Sequence, residues 1–341
     1  MRLHRPASRP DPRGRTAPVR LTSAVLLVAV LAARGGFATV ILAAGLTAVR
    51  SAEGADAPPG CDARCLEDLA TRYRAAYVRH DATAVPISPH VRFTENNVEM
   101  AFPDGTWDTV TRETGPALTL SDPRTGNVGI YTTIMQNDTP GFLAVRLKVA
   151  GGQITEIEHM ISTRRNLSGP PTPIGDVQTF RHDPQLAQTV PQAERVPRER
   201  LIALADGYFS TLQNNTGEIR GTRFAPDAIR QENGLKFTDI ERAFRLGRYR
   251  FNARVRDRDY FLVDEARGLV MSRAFIDHKG ILDEYTLTDG TKAHSPFHEP
   301  QSWALLELFK IKSGMIVSVE TTFSAAPYNM QSPWTRAAAG R

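Results

Sequence analysis

Two stretches of the chain place apolar residues at helical spacing, and both lie near the start of a longer patterned region. The first stretch spans residues 66–77 and the second spans residues 201–212. Apolar positions that recur every three or four residues form one face of an amphipathic helix. The chain therefore has a predicted helix in each region, and Pro197 is suitably placed just before the second.

Later in each region the pattern changes to the alternation that is typical of strands. Leu143, Val145, Leu147 and Val149 alternate with polar or small residues, and Gly151-Gly152 follows as a turn before a return strand. A similar arrangement surrounds the Ser313-Gly314 turn. Because helices come first and strands last, without regular β-α alternation, the pattern predicts an α+β fold with an antiparallel sheet.

The two regions also resemble each other in sequence. Three segments recur in the same order, which indicates a duplication. The offset between the copies grows along the chain, so the second copy carries insertions, chiefly around residues 279–300. The matched segments are 69–73 with 204–208, 93–97 with 230–234, and 147–154 with 309–316.

These patterns divide the chain into five predicted segments. Residues 1–57 form an export signal or membrane anchor, and 58–166 and 198–334 are the two modules. The Pro-rich stretch 167–197 is a linker, and 335–341 is a tail.

The charge of the chain is unevenly distributed, which changes its interpretation. The net charge of +5 arises from residues 1–50, which carry eight Arg and one Asp. The remaining residues have a slight negative excess, so the body lacks the basic surface that nucleic-acid binding requires. We expect no nucleic-acid partner.

The basic N-terminal segment is followed by apolar runs at 21–33 and 37–49 and by small residues that include Ala55-x-Ala57. This order is typical of an export signal. The alternatives are an uncleaved membrane anchor and a mis-assigned start codon. Arg34 argues against an anchor, because it interrupts the apolar run that would span the membrane. We expect the body to be secreted, periplasmic or in the cell envelope, with membrane contact only through this segment.

The two cysteines, Cys61 and Cys65, precede the first helix. In an oxidising compartment they could form a local disulfide, and free thiols are the alternative. No further ligands with metal-site spacing lie nearby.

The helix, the Phe-x-Glu-Asn element at 93–96 and the terminal hairpin with an Ile-Glu ending together resemble the SnoaL-like, nuclear transport factor 2-like superfamily. The resemblance covers about residues 58–166 and 196–334. It implies two tandem conical modules, each with helices packed in a curved antiparallel sheet. The cysteine-bearing start, "VRFTENN", "FIDHKG" and "PYNMQSPW" more narrowly resemble an uncharacterised family of exported tandem proteins.

The superfamily includes isomerases, cyclases and dehydratases, and also modules without catalytic activity. The resemblance therefore implies a small-molecule cavity, with cofactor-free acid–base catalysis as one hypothesis and ligand binding or protein contact as the alternative. No phosphate loop, nucleophile elbow or dinucleotide fingerprint appears in the sequence, and no cofactor is expected. The expected partners are a small molecule and the other module, with a homodimer left open.

Four residues are candidates for acid–base chemistry. His159 shares strand parity with Ile157 and Ile161, which predicts an inward, apolar setting. His278 follows an apolar strand beside a carboxylate. Glu95 and Glu232 recur in both copies, which suits a structural role as well as a functional one.

Further side chains are candidates for ligand binding. The asparagines beside the repeated glutamates could bind a hydroxylated ligand or could satisfy loop backbone groups. The tyrosines on the two long helices, Tyr208 of the second among them, could donate hydrogen bonds to a carbonyl or pack in the core. His294 and His298 do not predict a metal site, because Pro296 and Pro300 prevent a helix there. The ligand-binding candidates are Tyr73, Tyr77, Asn96, Asn233, Arg273 and Trp107.

Overall fold

The computed structural model describes residues 61–164 and 172–335. The predicted leader at 1–57 lies outside the described residues, as do 336–341 of the predicted tail and 167–171 of the predicted linker.

Both predicted long helices are confirmed. Helix α1 spans Ala63–Val78 and begins at Asp62, whose carboxylate accepts a hydrogen bond from the backbone N–H of Cys65 at 2.9 Å. Helix α2 spans Arg198–Leu212 and begins after Pro197, and a short helix α3 spans Ile240–Arg245. The predicted Cys61–Cys65 disulfide is present, with 5.2 Å between the Cα atoms, and it joins the chain before α1 to the first turn of that helix.

The first half of the fold, residues 61–164, forms one sheet with the strand order β2-β1-β7-β6-β5-β3, in which β4 also pairs with β5. The predicted hairpin around Gly151-Gly152 is the β6–β7 pair. The strands are β1 Ile87–Glu95, β2 Val98–Met100, β3 Val110–Glu113, β4 Leu118–Asp122, β5 Asn127–Gln136, β6 Thr139–Ala150 and β7 Gln153–Thr163.

The second half of the fold, residues 198–335, forms a six-stranded sheet with the order β9-β8-β15-β14-β11-β10. The predicted turn at Ser313-Gly314 joins β14 to β15. A separate two-stranded hairpin, β12–β13, is inserted between β11 and β14, within the region where the sequence indicates an insertion. The strands are β8 Phe224–Glu232, β9 Leu235–Phe237, β10 Arg254–Asp264, β11 Leu269–His278, β12 Glu284–Thr286, β13 Lys292–His294, β14 Gln301–Lys312 and β15 Met315–Pro327.

The α+β class is confirmed, but the prediction of purely antiparallel sheets is wrong. Strand β1 runs parallel to β7, and β8 runs parallel to β15, so both sheets are mixed. In each half the first strand follows the long helix and pairs with the last strand of that half. Hydrophobic alternation gives the face of a strand but not the direction of its neighbour, so the sequence pattern did not contain this information.

Each sheet has two buried faces. One face packs on the half's own long helix, with Leu66 and Tyr73 of α1, or Leu204 and Tyr208 of α2, in the contact. The other faces meet each other in a shared apolar layer. Residues from both halves form this layer, among them Leu120, Tyr131, Met160, Met271, Phe275 and Leu308.

The described part of the Pro-rich segment, residues 172–197, contains two short 3-10 helices, Pro184–Ala187 and Gln192–Glu194. It also packs against the folded halves: Ile174, Val177 and Phe180 form a small buried cluster with Phe142 of β6. Within the described residues, no helix is long and apolar enough to cross a membrane.

Candidate functional site

The interior of the first half is filled by aromatic side chains around His159. The imidazole is fully buried, as its predicted inward orientation requires, and its Nε2 lies 2.8 Å from the Tyr73 hydroxyl. Trp107 Nε1 donates to the same hydroxyl at 3.2 Å. The rings of Tyr77 and Phe93 pack edge-on against the imidazole, with centroids 5.2 and 5.3 Å away.

Glu95 continues this polar chain towards the surface of the first half. One carboxylate oxygen accepts hydrogen bonds from the backbone N–H and the hydroxyl of Thr106, at 3.0 and 2.5 Å, and lies 3.8 Å from His159 Nδ1. The Tyr77 hydroxyl donates to Thr106 Oγ1 at 2.6 Å. Burial acts to raise the pKa of Glu95, but the neighbouring His159 and Thr106 hold it below its ordinary value. These contacts join the predicted site residues of the first half into one packed network.

The second half contains a cavity of about 560 Å³ between α2 and the inner face of its sheet. Buried Tyr208, Arg230, Glu307 and Thr321 lie at its inner end. Exposed residues at its mouth include Phe237, Arg248 and Lys292. The volume is within the range of small-molecule sites. Most of the remaining wall is apolar or aromatic, formed by Leu212, Tyr249, Phe251, Ile276, Tyr285, Leu287, Trp303, Leu305 and Phe323.

Glu307 is the most unusual group in this cavity. Its side chain is buried, and Oε1 accepts a hydrogen bond from the Thr321 hydroxyl at 2.9 Å. Its Oε2 accepts no well-formed hydrogen bond from residues 61–164 and 172–335, although the Tyr208 hydroxyl lies close enough to lower the pKa of the carboxyl. Burial raises the pKa of Glu307 to about 8, and the negative charge of Glu232 adds to this effect. At neutral pH the side chain is therefore mainly a carboxylic acid that can donate a hydrogen bond into the cavity.

Arg230 and Glu232 form an ion pair beside Glu307, with 2.8 Å between the guanidinium Nε and the carboxylate. Arg230 also donates from Nη1 to the Tyr208 hydroxyl at 3.2 Å and from Nη2 to the Tyr249 hydroxyl at 2.6 Å. Burial raises the pKa of Tyr208 well above its ordinary value, so the phenol keeps its proton. Of the residues predicted for acid–base chemistry, Glu232 alone lines this cavity.

The two interiors have different chemistry at matching positions of the sheets. In the first sheet, Glu95 pairs in register with His159, which pairs with Val145. In the second sheet, Glu232 pairs with Thr321, which pairs with Glu307. The acidic residue of the first strand is thus retained, while a histidine is replaced by threonine and a valine by glutamate.

His278 does not have the position that the sequence predicts for a base in the second cavity. Its ring is stacked on Phe297, with centroids 3.7 Å apart, and packs against Trp303, which is itself part of the cavity wall, whereas His278 is not. Burial lowers the pKa of His278 to about 3. An imidazole with so low a pKa is a weak proton acceptor at neutral pH. The neighbouring Asp277 points to the opposite face and binds Arg254, Arg256 and Ser302.

Arg273, a predicted ligand-binding residue, does not line this cavity either. Arg273 shares strand parity with Met271 and Phe275, which face the other sheet. Its guanidinium binds Glu158 of the first half, with Nε 3.0 Å from Oε1, and also Asp259. Arg146 Nε binds the same Glu158 at 2.9 Å. Arg273 is therefore part of a buried ionic network between the sheets.

The side-chain amides of Asn96 and Asn233 bind the protein backbone through both their oxygen and their nitrogen. Of the two roles predicted for them, these contacts fit the structural one. Asn96 binds the N–H and C=O of Ile161 at 2.7 and 3.2 Å. Asn233 binds the same two groups of Phe323 at 3.0 and 3.1 Å. Both asparagines have φ of +46°, in the left-handed region that asparagine tolerates better than most residues. Neither amide has a free end for a ligand.

Among the described residues, no group of three or more His, Cys, Asp or Glu side chains is placed to hold a metal ion. His294 lies on β13, and His298 Nδ1 lies 3.8 Å from the exposed Asp283 carboxylate.

Sequence reasoning missed Glu307, Arg230 and Tyr249 as site residues. A signal for Glu307 was present, because it is the only charged residue in the apolar run Trp303–Phe309 and shares parity with Leu305 and Phe309. A carboxylate on the core-facing side of a strand requires a buried partner or a function. Arg230 has the same parity as Glu232, and its position matches that of Phe93 in the repeat.

One protein family matches part of the chain, and this match begins slightly before helix α2. Residues 194–323 match the family described as "Domain of unknown function (DUF8021)". This range includes α2, most of the second sheet and every residue that lines the 560 Å³ cavity. No curated protein matches the chain.

Three solved structures show limited similarity. AclR, a candidate hydroxylase from Streptomyces galilaeus, is 14% identical with a TM-score of 0.27, over 41% of this chain and 85% of its own. A candidate ketosteroid isomerase from Kribbella flavida is 16% identical with a TM-score of 0.23, over 36% of this chain and 93% of its own. An uncharacterised protein with a cystatin-like fold from Caulobacter vibrioides is 14% identical with a TM-score of 0.24, over 37% and 88%. With these scores the three structures carry no argument about the fold or the function of this chain.

Proposed function

We propose that the second half is a cofactor-free acid–base enzyme of the isomerase type that acts on a small apolar carbonyl compound. The observation that carries this proposal is the buried Glu307 carboxyl, which has one oxygen without a well-formed hydrogen bond in a largely apolar cavity. Its pKa of about 8 keeps it protonated at neutral pH. A carboxylic acid held neutral in this way can donate a hydrogen bond to an oxygen that gains negative charge.

The neighbouring groups provide the rest of the proposed chemistry. Glu232 removes a proton from the carbon next to the carbonyl, and the electron pair moves onto the carbonyl oxygen as an enolate. Glu307 donates its hydrogen bond to that oxygen, and Tyr208 is placed to add a second. In a substrate with a β,γ double bond this enolate is a conjugated dienolate, and Glu232 returns the proton to its γ carbon, so the double bond moves next to the carbonyl and the reaction consumes no cofactor. Arg230 fixes Glu232 and the Tyr208 hydroxyl relative to each other.

For the first half we propose a structural role instead of catalysis. Tyr73, Trp107, Tyr77 and Phe93 pack around His159, and Glu95 is bound to Thr106. This packing leaves the candidate base in contact with protein rings. Together with the shared strand order, it supports two related conical modules of the SnoaL-like type, in which the first stabilises the second through the intersheet layer.

We also propose that the folded part is exported. The Cys61–Cys65 disulfide supports this, since stable disulfides are typical of oxidising compartments. N-terminal sequencing of the mature protein from its host tests the proposal, and a first residue upstream of Phe37 would contradict cleavage of the leader.

The enzymatic proposal can be tested without knowledge of the natural substrate. The probe is 2-acetylnaphthalene, a flat apolar ketone with exchangeable methyl protons. Calorimetry measures its binding, and NMR in D₂O measures exchange of the methyl protons, which reports proton removal next to the carbonyl. We expect the protein to bind the ketone and to accelerate exchange.

Three variants give this experiment its specificity. Glu232→Gln should abolish exchange and retain most of the binding, because only the base is lost. Glu307→Gln should slow exchange about 100-fold or more, because a weaker amide donor replaces the acid. The matched control Glu218→Gln, at a site 72% exposed in its side chain, should change neither quantity. Binding without exchange would favour the non-catalytic alternative, and absence of binding would exclude the cavity as a site for this class of ligand.

A further inference from the structure

The charged groups around the cavity are paired at its inner end but not at its mouth. Arg230 is matched by Glu232. Lys292, on the inserted hairpin, is matched by Glu284, with 2.7 Å between Nζ and the carboxylate. Arg248 also lines the mouth, and it has no acidic partner in the described part of the chain. The mouth therefore has an excess of positive charge.

The backbone that carries Arg248 is held in place by the hairpin. The Tyr285 hydroxyl of β12 donates to the carbonyl oxygen of Arg248 at 2.6 Å. Burial raises the pKa of this hydroxyl, while the charges of Arg250 and Arg248 oppose the effect. The positive field of this segment thus reaches the cavity wall. An exposed guanidinium on a fixed backbone is well suited to bind a carboxylate in a bidentate manner.

The inner arginine is a poorer candidate for the same task. Arg230 already binds Glu232, Tyr208 and Tyr249. A ligand carboxylate at that end would also lie beside Glu232 and would be repelled by it. An anionic group of the ligand is therefore expected at the mouth, and a neutral oxygen at the inner end.

The wall between these two ends is aromatic. Phe251, Tyr249, Tyr285, Trp303 and Phe323 line it, and the Trp303 and Phe323 rings are 4.5 Å apart with a tilted packing. Aromatic walls favour flat ring systems, which pack against them by stacking or edge contacts. The shape and the polarity of the cavity thus point to the same kind of ligand.

We infer that the ligand of this cavity is an aromatic or fused-ring keto acid, whose carbonyl lies at Glu307 and whose carboxylate binds Arg248 at the mouth. The inference rests on the proposed function for the position of the carbonyl, and it adds the acid group and its recognition residue. Arg248 is a specificity residue in this arrangement, since the reacting carbonyl lies at the other end.

The test compares two probes that differ only in the acid group. These are 6-acetyl-2-naphthoic acid and neutral 2-acetylnaphthalene, titrated by calorimetry at low ionic strength into the disulfide-intact protein. We expect the acid to bind about tenfold more tightly, the strength of one charge-assisted contact at a partly exposed site. This preference should decrease as salt is added.

Arg248→Gln should remove the preference by lowering the affinity for the acid probe about tenfold, with little change in the affinity for the neutral ketone. Lys292→Gln should change the preference less than twofold, because Glu284 already neutralises that lysine. Arg245→Gln, at an exposed site on α3 where the arginine pairs with Glu241, is the matched control and should leave both affinities unchanged.

An equal affinity of the wild-type protein for the two probes would overturn the inference, as would a preference that survives Arg248→Gln. In either case, ketone binding and proton exchange that depend on Glu307 would leave the proposed function intact. If neither probe binds, the proposed function fails first, and the inference fails with it.

Discussion

Glu307 occupies in the second sheet the register position that Val145 occupies in the first. Val145 pairs with His159 and Glu307 pairs with Thr321, and these partners pair in turn with the repeated glutamate of the same sheet. Both Val145 and Glu307 face the long helix of their own half. In the first half the valine packs in an apolar core around His159. In the second half the glutamate faces a cavity. The filled interior and the candidate site therefore differ at this matched position of the two sheets.

Glu307→Gln should increase stability at alkaline pH. The raised pKa of about 8 means that the folded state retains a proton between about pH 4.5 and 8 that the unfolded chain has released. The unfolding free energy of the wild type therefore falls as pH rises through this window, by up to about 1.4 kcal/mol per pH unit. Glutamine has no such titration, so denaturant unfolding should show a variant advantage that widens from pH 5 to 8.5. Parallel curves for the two proteins would show that Glu307 is not protonated in the fold.

His278→Phe should protect the protein against acid. The pKa of His278 is lowered to about 3, so below about pH 6.5 the unfolded chain takes up a proton that the folded chain does not. The contribution of the neutral ring is complete above pH 6.5 and is lost as pH falls towards 3. Phenylalanine can keep the stacking on Phe297 without this loss. The melting-temperature difference between variant and wild type should therefore grow from pH 7 to pH 4. A melting-temperature difference that stays constant between pH 7 and pH 4 would contradict this account.

Asn233 should tolerate glycine better than alanine. Both substitutions lose the two backbone hydrogen bonds to Phe323, which should cost about 1–3 kcal/mol. Alanine also places a Cβ at φ of +46°, which adds about 1 kcal/mol. Urea unfolding should rank the wild type above Asn233→Gly and Asn233→Ala lowest. The same order is expected at Asn96, and an alanine variant equal to wild type would show that the amide contacts have no structural weight.

Glu158 should be essential to the intersheet network although it is remote from the cavity. Burial acts to raise its pKa, but Arg273 and Arg146 hold it below its ordinary value, so the group is a buried carboxylate. Glu158→Gln leaves both arginines with reduced compensation and should cost about 3–5 kcal/mol of unfolding free energy. Replacing Glu158, Arg146 and Arg273 together by methionine should cost less than this single change, because no fully buried charge remains and the carboxylates that lose their arginines, Asp259 and Glu156, are partly exposed. A single variant as stable as wild type would contradict the role of the network.

The sequence predicted the elements of this fold better than their arrangement. Apolar spacing placed α1 and α2, and alternation with glycine turns placed the β6–β7 and β14–β15 hairpins. The repeated segments indicated a common plan, and the two sheets do share a strand order. The parallel pairs β1–β7 and β8–β15 did not follow from these patterns, because they join strands that are distant in sequence.

The candidate site was predicted less well, and the errors have a common cause. Strand parity correctly gave His159 an inward orientation, but an inward orientation does not show whether space remains beside the ring. Arg273 and His278 were assigned to the cavity from their polarity, whereas one binds Glu158 of the other half and the other packs against Trp303.

By itself, the sequence determined the α+β class, the two long helices, the hairpins and the inward face of each strand. These features depend on local spacing and on turn chemistry, which a single chain segment contains. Only the tertiary structure decided which interior is filled, which charges are paired across the sheets, and that Glu307 is a buried acid that faces a cavity. These properties depend on how distant side chains share a limited volume, and the removal of water there sets the pKa and the partners of each polar group.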